Sequence, residues 1–129
     1  MDWKYKIELD NKDVFSEIEK ERGIKIPEEL KELVVNANAA TPEKCRYMLG
    51  NDERVLGAIL SFNKEDEADS VFLALKVVDD KNLLPFAIDP FGNFNCLDIK
   101  DNTVVYWNHE LDEVSSTGKN LSEFIGSLY

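Results

Sequence analysis

The feature that most constrains the fold is a tight turn between two apolar segments in the last third of the sequence. Residues 84–88 and 94–99 are largely apolar, and Asp89-Pro90-Phe91-Gly92-Asn93 joins them. Proline suits the fixed φ of the second turn position, and Gly92 can adopt a positive φ. A connection this short returns the chain antiparallel to itself. With a second turn at Asp101-Asn102 and a third apolar run at 103–107, it predicts an antiparallel meander.

Two helices are predicted near the start of the chain. Val14, Phe15 and Ile18 share one side of a helical wheel. Gly23 is expected to end that helix in a left-handed conformation. The second helix is predicted to begin at Pro27, where the missing N–H has no cost in the first turn. Its expected buried side consists of Leu30, Leu33 and Val34.

Two further helices are predicted later in the chain. Ser70 can cap a helix whose apolar residues recur at 71, 72, 75 and 78, although so apolar a run also fits a buried strand. Asn120 can cap a C-terminal helix with apolar residues at i, i+3, i+4 and i+7. Those residues are Leu121, Phe124, Ile125 and Leu128.

A further hairpin is predicted between residues 46–49 and 54–62, which flank Gly50-Asn51-Asp52. The full order predicts an α+β fold: a mainly antiparallel sheet of about six strands with an N-terminal helix pair, a middle helix and a C-terminal helix. No Pro/Gly/Ser-rich linker or repeat divides the sequence. Residues 1–129 are therefore expected to form a single domain.

The charge balance restricts the class of partner. The chain carries 26 acidic and 15 basic residues, a formal net charge of −11. Because phosphate backbones and anionic lipids are themselves negative, neither nucleic acid nor a membrane is an expected partner. A basic protein is the expected partner, although an acidic surface also serves solubility. The sequence does not specify an oligomeric state.

A cytoplasmic location is expected. The first residues, Met-Asp-Trp-Lys-Tyr-Lys, lack the apolar segment of a signal peptide, and no apolar run approaches the length that spans a bilayer. Cys45 and Cys96 lie far apart among apolar residues, so both are expected to be reduced and part of the core. No C-x-x-C spacing indicates a zinc or redox site, and no metal or other cofactor is predicted.

Three parts of the sequence together resemble the SUKH superfamily. The first is the hairpin at 84–98 followed by Val-Val-Tyr-Trp-Asn-His-Glu at 104–110. Residues 18–31 are similar to the two helices with which the superfamily domain begins, and residues 121–125 are similar to its closing helix. The superfamily includes the domain of the yeast cell-wall-synthesis regulators and many bacterial immunity proteins.

The resemblance implies a non-enzymatic protein-binding domain with an α+β fold. The first hypothesis is an immunity protein that binds and neutralises a cognate polymorphic toxin, typically a nuclease. The alternative is a cytoplasmic regulatory or scaffold domain without a toxin, and a small hydrolase is the third hypothesis. The chain departs from the family pattern at 36–44, where members often carry an Asn-Gly-Gly type loop and this sequence has Asn-Ala-Asn-Ala-Ala. This departure bears on the shape of the loop and on partner choice.

His109, the only histidine, is the natural candidate for catalysis. Ser61, Ser115 or Cys96 could serve as its nucleophile, but no nucleophile-elbow pattern surrounds them. A binding or structural role, with the imidazole oriented by Glu110 or by backbone, fits better. No catalytic residue is therefore predicted.

The residues expected to contact a partner lie in turns and acidic loops. Phe91 is a large ring at an exposed turn tip, which either meets a partner or folds back onto the domain. Asp89 is expected to accept hydrogen bonds from turn amides, rather than to act with Asp98 as an acid–base pair. The predicted partner-binding residues are Glu65, Asp66, Asp69, Asp89, Phe91, Asn93, His109, Glu110 and Asp112.

Overall fold

The computed structural model describes residues 1–64 and 69–129, which form four helices and nine strands. The helices are α1 (Asp13–Arg22), α2 (Glu28–Ala37), α3 (Val71–Val77) and α4 (Leu121–Gly126). The strands are β1 (Trp3–Lys4), β2 (Thr41–Pro42), β3 (Arg46–Leu49), β4 (Asp52–Val55), β5 (Ala58–Ile59), β6 (Leu83–Ile88), β7 (Phe94–Asp98), β8 (Thr103–Asn108) and β9 (Glu113–Asn120).

The strands form three antiparallel sheets. The largest has the order β5-β6-β7-β8-β9, while β1 pairs with β2 and β3 pairs with β4. In the large sheet, Phe94 lies opposite both Ile88 and Trp107, and Asn95 lies opposite Tyr106. The predicted α+β class, the meander and the order of the helices are confirmed.

The ends of the helices follow the predicted caps closely. Gly23 has a φ of 67° and donates its N–H to the Glu19 carbonyl at 2.9 Å. Ser70 Oγ accepts a hydrogen bond from the Phe72 N–H at 3.1 Å. Residues 71–77 therefore form a capped helix and not the buried strand that the sequence also allowed. Asn120 and Glu123 form a reciprocal capping box at the start of α4. Pro27 lies just outside α2, at its N-cap.

The predicted single strand at 54–62 is wrong. The chain leaves β4 after Val55 and joins the large sheet as β5, so the two halves of the run belong to different sheets. Gly57 lies at the crossing, where an added Cβ would be 2.7 Å from the Ile88 carbonyl oxygen. Only glycine lets the backbone approach β6 this closely.

The hydrophobic core contains residues of all four helices and of the large sheet, among them Ile18, Leu30, Val71, Phe86 and Phe124. Phe124 of α4 packs edge-on against Tyr47 and Phe86, with ring centroids 4.9 and 6.5 Å apart. Through these contacts, α4 and the β3–β4 hairpin pack on the same face of the large sheet.

Several residues of the predicted core and helical stripes are only partly buried. Cys96 is fully buried as predicted, but Cys45 is partly exposed, and Leu33, Phe72, Leu75 and Ile125 lie at the edge of the core. Both cysteines are free thiols. In the described part of the chain, no helix combines the length and the apolar character needed to cross a bilayer.

Candidate partner-binding site

The β6–β7 and β8–β9 turns lie side by side at one end of the large sheet, because β6, β7, β8 and β9 are consecutive antiparallel neighbours. The first turn is residues 89–93 and the second is residues 109–112. Most of the side chains predicted to bind a partner belong to these two turns.

Asp89 holds the first turn from inside. Its carboxylate oxygen Oδ1 accepts hydrogen bonds from the backbone N–H groups of Phe91 at 2.8 Å and Asn93 at 2.9 Å. Gly92 has a φ of +85°, which closes the turn without strain. The predicted acceptance of turn amides by Asp89 is thus confirmed, and only 8% of the residue is exposed.

Asn93 links the first turn to the second. Its side-chain Oδ1 accepts from the His109 backbone N–H at 3.0 Å and lies 2.7 Å from His109 Nδ1. Its Nδ2 donates to the Tyr106 hydroxyl at 2.7 Å. Because Oδ1 is an acceptor, the His109 proton belongs on Nδ1, and Nε2 of the exposed ring is left facing away from this bond.

A buried polar layer supports this link. The Tyr106 hydroxyl lies 3.4 Å from Asp89 Oδ2, and burial together with the charge of Asp89 raises the pKa of Tyr106. The Arg54 guanidinium lies over the Tyr106 ring, 5.0 Å from its centroid. The β3–β4 hairpin therefore braces the layer from one side.

Deeper in the same layer, Asn95 Nδ2 donates to the Tyr47 hydroxyl at 3.0 Å. Burial raises the pKa of Tyr47 to about 12, since a phenolate here would lose its hydration. Both side chains are almost fully buried, so this hydrogen bond satisfies two polar groups that water cannot reach.

The second turn is held by Asn108, whose Oδ1 accepts from the backbone N–H groups of Glu110 at 3.0 Å and Leu111 at 3.3 Å. Asp112 then turns the chain into β9 with a φ of 49°. The turn is thereby fixed by its own side chains, as the first turn is by Asp89.

The two turns and the start of β9 present apolar and charged side chains to solvent. Phe91 is 77% exposed, Leu111 62% and Val114 50%, and His109, Glu110 and Asp112 are also exposed. We call this set of six the turn-end surface. Two outcomes were expected for Phe91: contact with a partner, or packing back onto the domain. The structure shows that its ring does not pack back onto the domain.

The structure brings together most of the predicted residues, but not all of them. Asp69 lies at the β5 edge of the sheet, where its carbonyl accepts from the Ser61 N–H at 2.8 Å. Glu65 and Asp66 lie outside the described residues. Leu111 and Val114 were not predicted, although a lone leucine inside the acidic run Glu110-Leu111-Asp112-Glu113 is a signal that could have identified the first of them.

The hydrolase hypothesis finds little support in the geometry around His109. Cys96 is fully buried, and burial raises the pKa of its thiol, so it stays protonated and unreactive. The Nδ1 atom of His109 is hydrogen-bonded to the Asn93 side chain rather than to a carboxylate, so the expectation that Glu110 or backbone orients the imidazole is wrong. Among the described residues, no group of three or more His, Cys, Asp or Glu is placed to hold a metal ion.

Comparison with known proteins gives one family match. The model of the SMI1 / KNR4 family (SUKH-1) matches residues 11–127, nearly the whole chain. A search of curated proteins with this sequence gives no match.

Proposed function

The chain belongs to the SMI1 / KNR4 family (SUKH-1), and from this membership we propose that it is an immunity protein that binds and neutralises a cognate toxin. The family includes toxin immunity proteins, and its domains are generally binding modules rather than enzymes. The place of the contact on the molecule rests on one observation: an exposed Phe91 on a turn that buried side chains hold rigid.

A rigid exposed aromatic ring is well suited to bind a protein. Leaving Phe91 in water forgoes about 2 kcal/mol of burial free energy, which a partner pocket would recover. Because Asp89 and Asn93 already fix the turn, little conformational entropy would be lost on binding. We assign Phe91 and Leu111 as the apolar centre of the contact and His109 as its polar neighbour.

The charge around this centre favours a basic partner. In the sequence, Leu111 is preceded by Glu110 and followed by Asp112 and Glu113. All three acidic residues are exposed. A nuclease presents a basic groove to its nucleic acid, and an acidic surface that enters this groove would block the substrate and speed association. We therefore propose a nuclease toxin. Asp69 at the β5 edge remains a predicted contact. Glu65 and Asp66 remain predicted contacts from the sequence alone.

Asp89 and Asn93 act on the partner indirectly in this proposal. Their side chains are buried and hydrogen-bonded inside the domain, so they position Phe91 and His109 and do not reach the partner themselves. We place the interaction in the cytoplasm, where two free cysteines stay reduced.

Co-expression tests the proposal. The gene beside this one is expected to encode a larger protein with a C-terminal toxin domain, and co-expression of this chain should restore growth. Phe91→Ala should weaken the rescue, whereas Leu73→Ala should not, since Leu73 is a comparably exposed residue on α3. Toxicity that persists with the wild-type chain, together with a pull-down that recovers no toxin, would refute the proposal.

The same experiment addresses the other two hypotheses. A regulatory or scaffold domain would recover other proteins of the cell in the pull-down and give no protection. A hydrolase that depends on His109 would lose protection in His109→Gln with the fold and the toxin affinity unchanged. For a binding protein, protection should follow affinity in every variant.

A further inference from the structure

A groove of about 690 Å³ lies between α2, α4 and the N-terminal strand. On α2 it is lined by Glu29, Glu32, Leu33 and Asn36, which recur at i, i+3, i+4 and i+7. This is a second stripe of the helix, distinct from the buried stripe of Leu30, Val34 and Ala37. α2 is therefore apolar toward the core, and toward the groove it contributes one apolar residue, Leu33, among three polar ones.

The floor of the groove is apolar. Leu33 of α2 and Ile125 of α4 line it, together with Trp3 and the buried Leu121 and Leu128. Leu33, Ile125 and Trp3 are only partly buried, so part of this apolar area meets water in the free protein. The half-burial of Leu33 and Ile125, which their sequence spacing did not predict, is a consequence of the groove.

The rim of the groove is acidic. Asp2, Glu29, Glu32 and Glu43 line it and are all exposed. In residues 1–64 and 69–129, none of these four carboxylates is engaged in a salt bridge. Lys44 and the amino group of Met1 are the cations among the lining residues, so the rim has a surplus of negative charge.

We propose that this groove binds a basic amphipathic helix of a partner protein. Two helices with an apolar floor between them offer the surface on which a third helix packs through residues at i, i+3, i+4 and i+7. The rim carboxylates would meet lysine or arginine on the flanks of that helix. The groove shares no residue with the turn-end surface, so this binding goes beyond the proposed function and does not depend on it.

A synthetic helix tests the proposal directly. The probe is a peptide of about 15 residues with leucine at i, i+3, i+4 and i+7 and lysine or arginine elsewhere, titrated into the isotope-labelled full chain. We expect saturable changes in NMR chemical shift concentrated at the Trp3 indole and at the methyl groups of Leu33 and Ile125. A scrambled peptide of equal composition, which has no apolar stripe, should bind about tenfold more weakly or worse.

Variants of the chain provide the controls. Leu33→Lys should weaken binding of the peptide at least about tenfold. Glu32→Lys should weaken it about threefold to tenfold, because it places a cation on the acidic rim. Glu32 is exposed, so this substitution should leave folding unaffected. Leu73→Lys, the same change at an exposed position of α3, should leave binding unchanged. Thermal unfolding of each variant checks that the fold is intact.

Several results would overturn the proposal. These are equal binding of the scrambled peptide, shifts centred on the turn-end surface, or wild-type affinity in both Leu33→Lys and Glu32→Lys. Concentration-dependent dimerisation that Leu33→Lys abolishes would assign the groove to a second copy of the chain and would overturn it as well. None of these results changes the outcome of the toxin co-expression test. Failure of helix binding at the groove and failure of the proposed immunity function can therefore be told apart.

Discussion

Asp89, Asn93 and Asn108 show how single polar residues determine the shape of the candidate site. Each accepts backbone N–H groups of a turn, and Asn93 also joins the two turns through His109. Buried polar groups such as those of Asp89 and Asn93 stabilise by about 1 kcal/mol when paired and cost about 1–3 kcal/mol when their partner is removed. The exposed Phe91 depends on them for its position.

Tyr47 should make the stability of the protein fall at alkaline pH. Its pKa is raised from the ordinary 10.0 to about 12, chiefly by burial. Below pH 10 the tyrosine is protonated in both states. Between pH 10 and 12 only the unfolded chain releases the proton, so the free energy of unfolding falls by about 1.4 kcal/mol per pH unit.

Urea unfolding of the wild type and of Tyr47→Phe at pH 8 to 11 measures this effect. Tyr47→Phe should cost about 1 kcal/mol at pH 8, because Asn95 loses its acceptor. Above pH 10, the free energy of unfolding of Tyr47→Phe should decline less steeply than that of the wild type. Equal alkaline slopes for the two proteins would contradict the assignment to Tyr47.

Ala39→Gly should stabilise the protein by about 1 kcal/mol. Ala39 has a φ of 61°, in the left-handed region that disfavours any residue with a Cβ. It lies in the loop at 36–44, where a departure from the family pattern is expected from the sequence. The free energy of unfolding in urea measures the gain. Ala40→Gly, at a buried neighbour outside that region, should instead destabilise the protein.

At the level of elements, the crossing from β4 to β5 depends on Gly57. Gly57→Ala should cost about 2 kcal/mol or more, because the new methyl group would lie 2.7 Å from the Ile88 carbonyl oxygen and would push β5 from β6. Gly126→Ala at the end of α4 is the matched control. No atom lies within 4 Å of its added Cβ, so it should be neutral or slightly stabilising. A similar midpoint of thermal unfolding for both variants would contradict this reading.

The helices and the 89–93 hairpin were predictable because their determinants are local. Gly23, Ser70 and Asn120 mark helix ends by side-chain or backbone chemistry that acts within four residues. In contrast, β9 was not predicted. Its sequence, Glu-Val-Ser-Ser-Thr-Gly-Lys-Asn, is mostly exposed and lacks the alternation that identifies a half-buried strand. It is an edge strand, paired on one side with β8.

The candidate site was predictable only where one turn suffices to define it. Phe91 stands out in the sequence as an aromatic ring at a turn tip, and the structure leaves it exposed. The link from Asn93 to His109 depends on the register of β7 with β8, which sequence spacing does not give. The groove on α2 depends on how α2 and α4 pack, so it too is a product of tertiary structure.

On the scale of the whole molecule, the net charge of −11 should govern how fast the protein meets its partner. If the toxin is basic, the association rate should fall about tenfold or more between low salt and about 0.5 M salt, while the dissociation rate changes less. Stopped-flow mixing at several salt concentrations measures both rates. An association rate independent of salt would contradict the electrostatic part of the proposal.

The most direct test of the central claim is the dissociation constant of the complex with the toxin encoded beside this gene, measured by calorimetry for the wild type, Phe91→Ala and Leu73→Ala. If the turn-end surface binds the toxin, Phe91→Ala should lose about 2 kcal/mol, a roughly 30-fold weaker complex, while Leu73→Ala should match the wild type. Unchanged affinity in Phe91→Ala would show that the toxin binds elsewhere on the molecule.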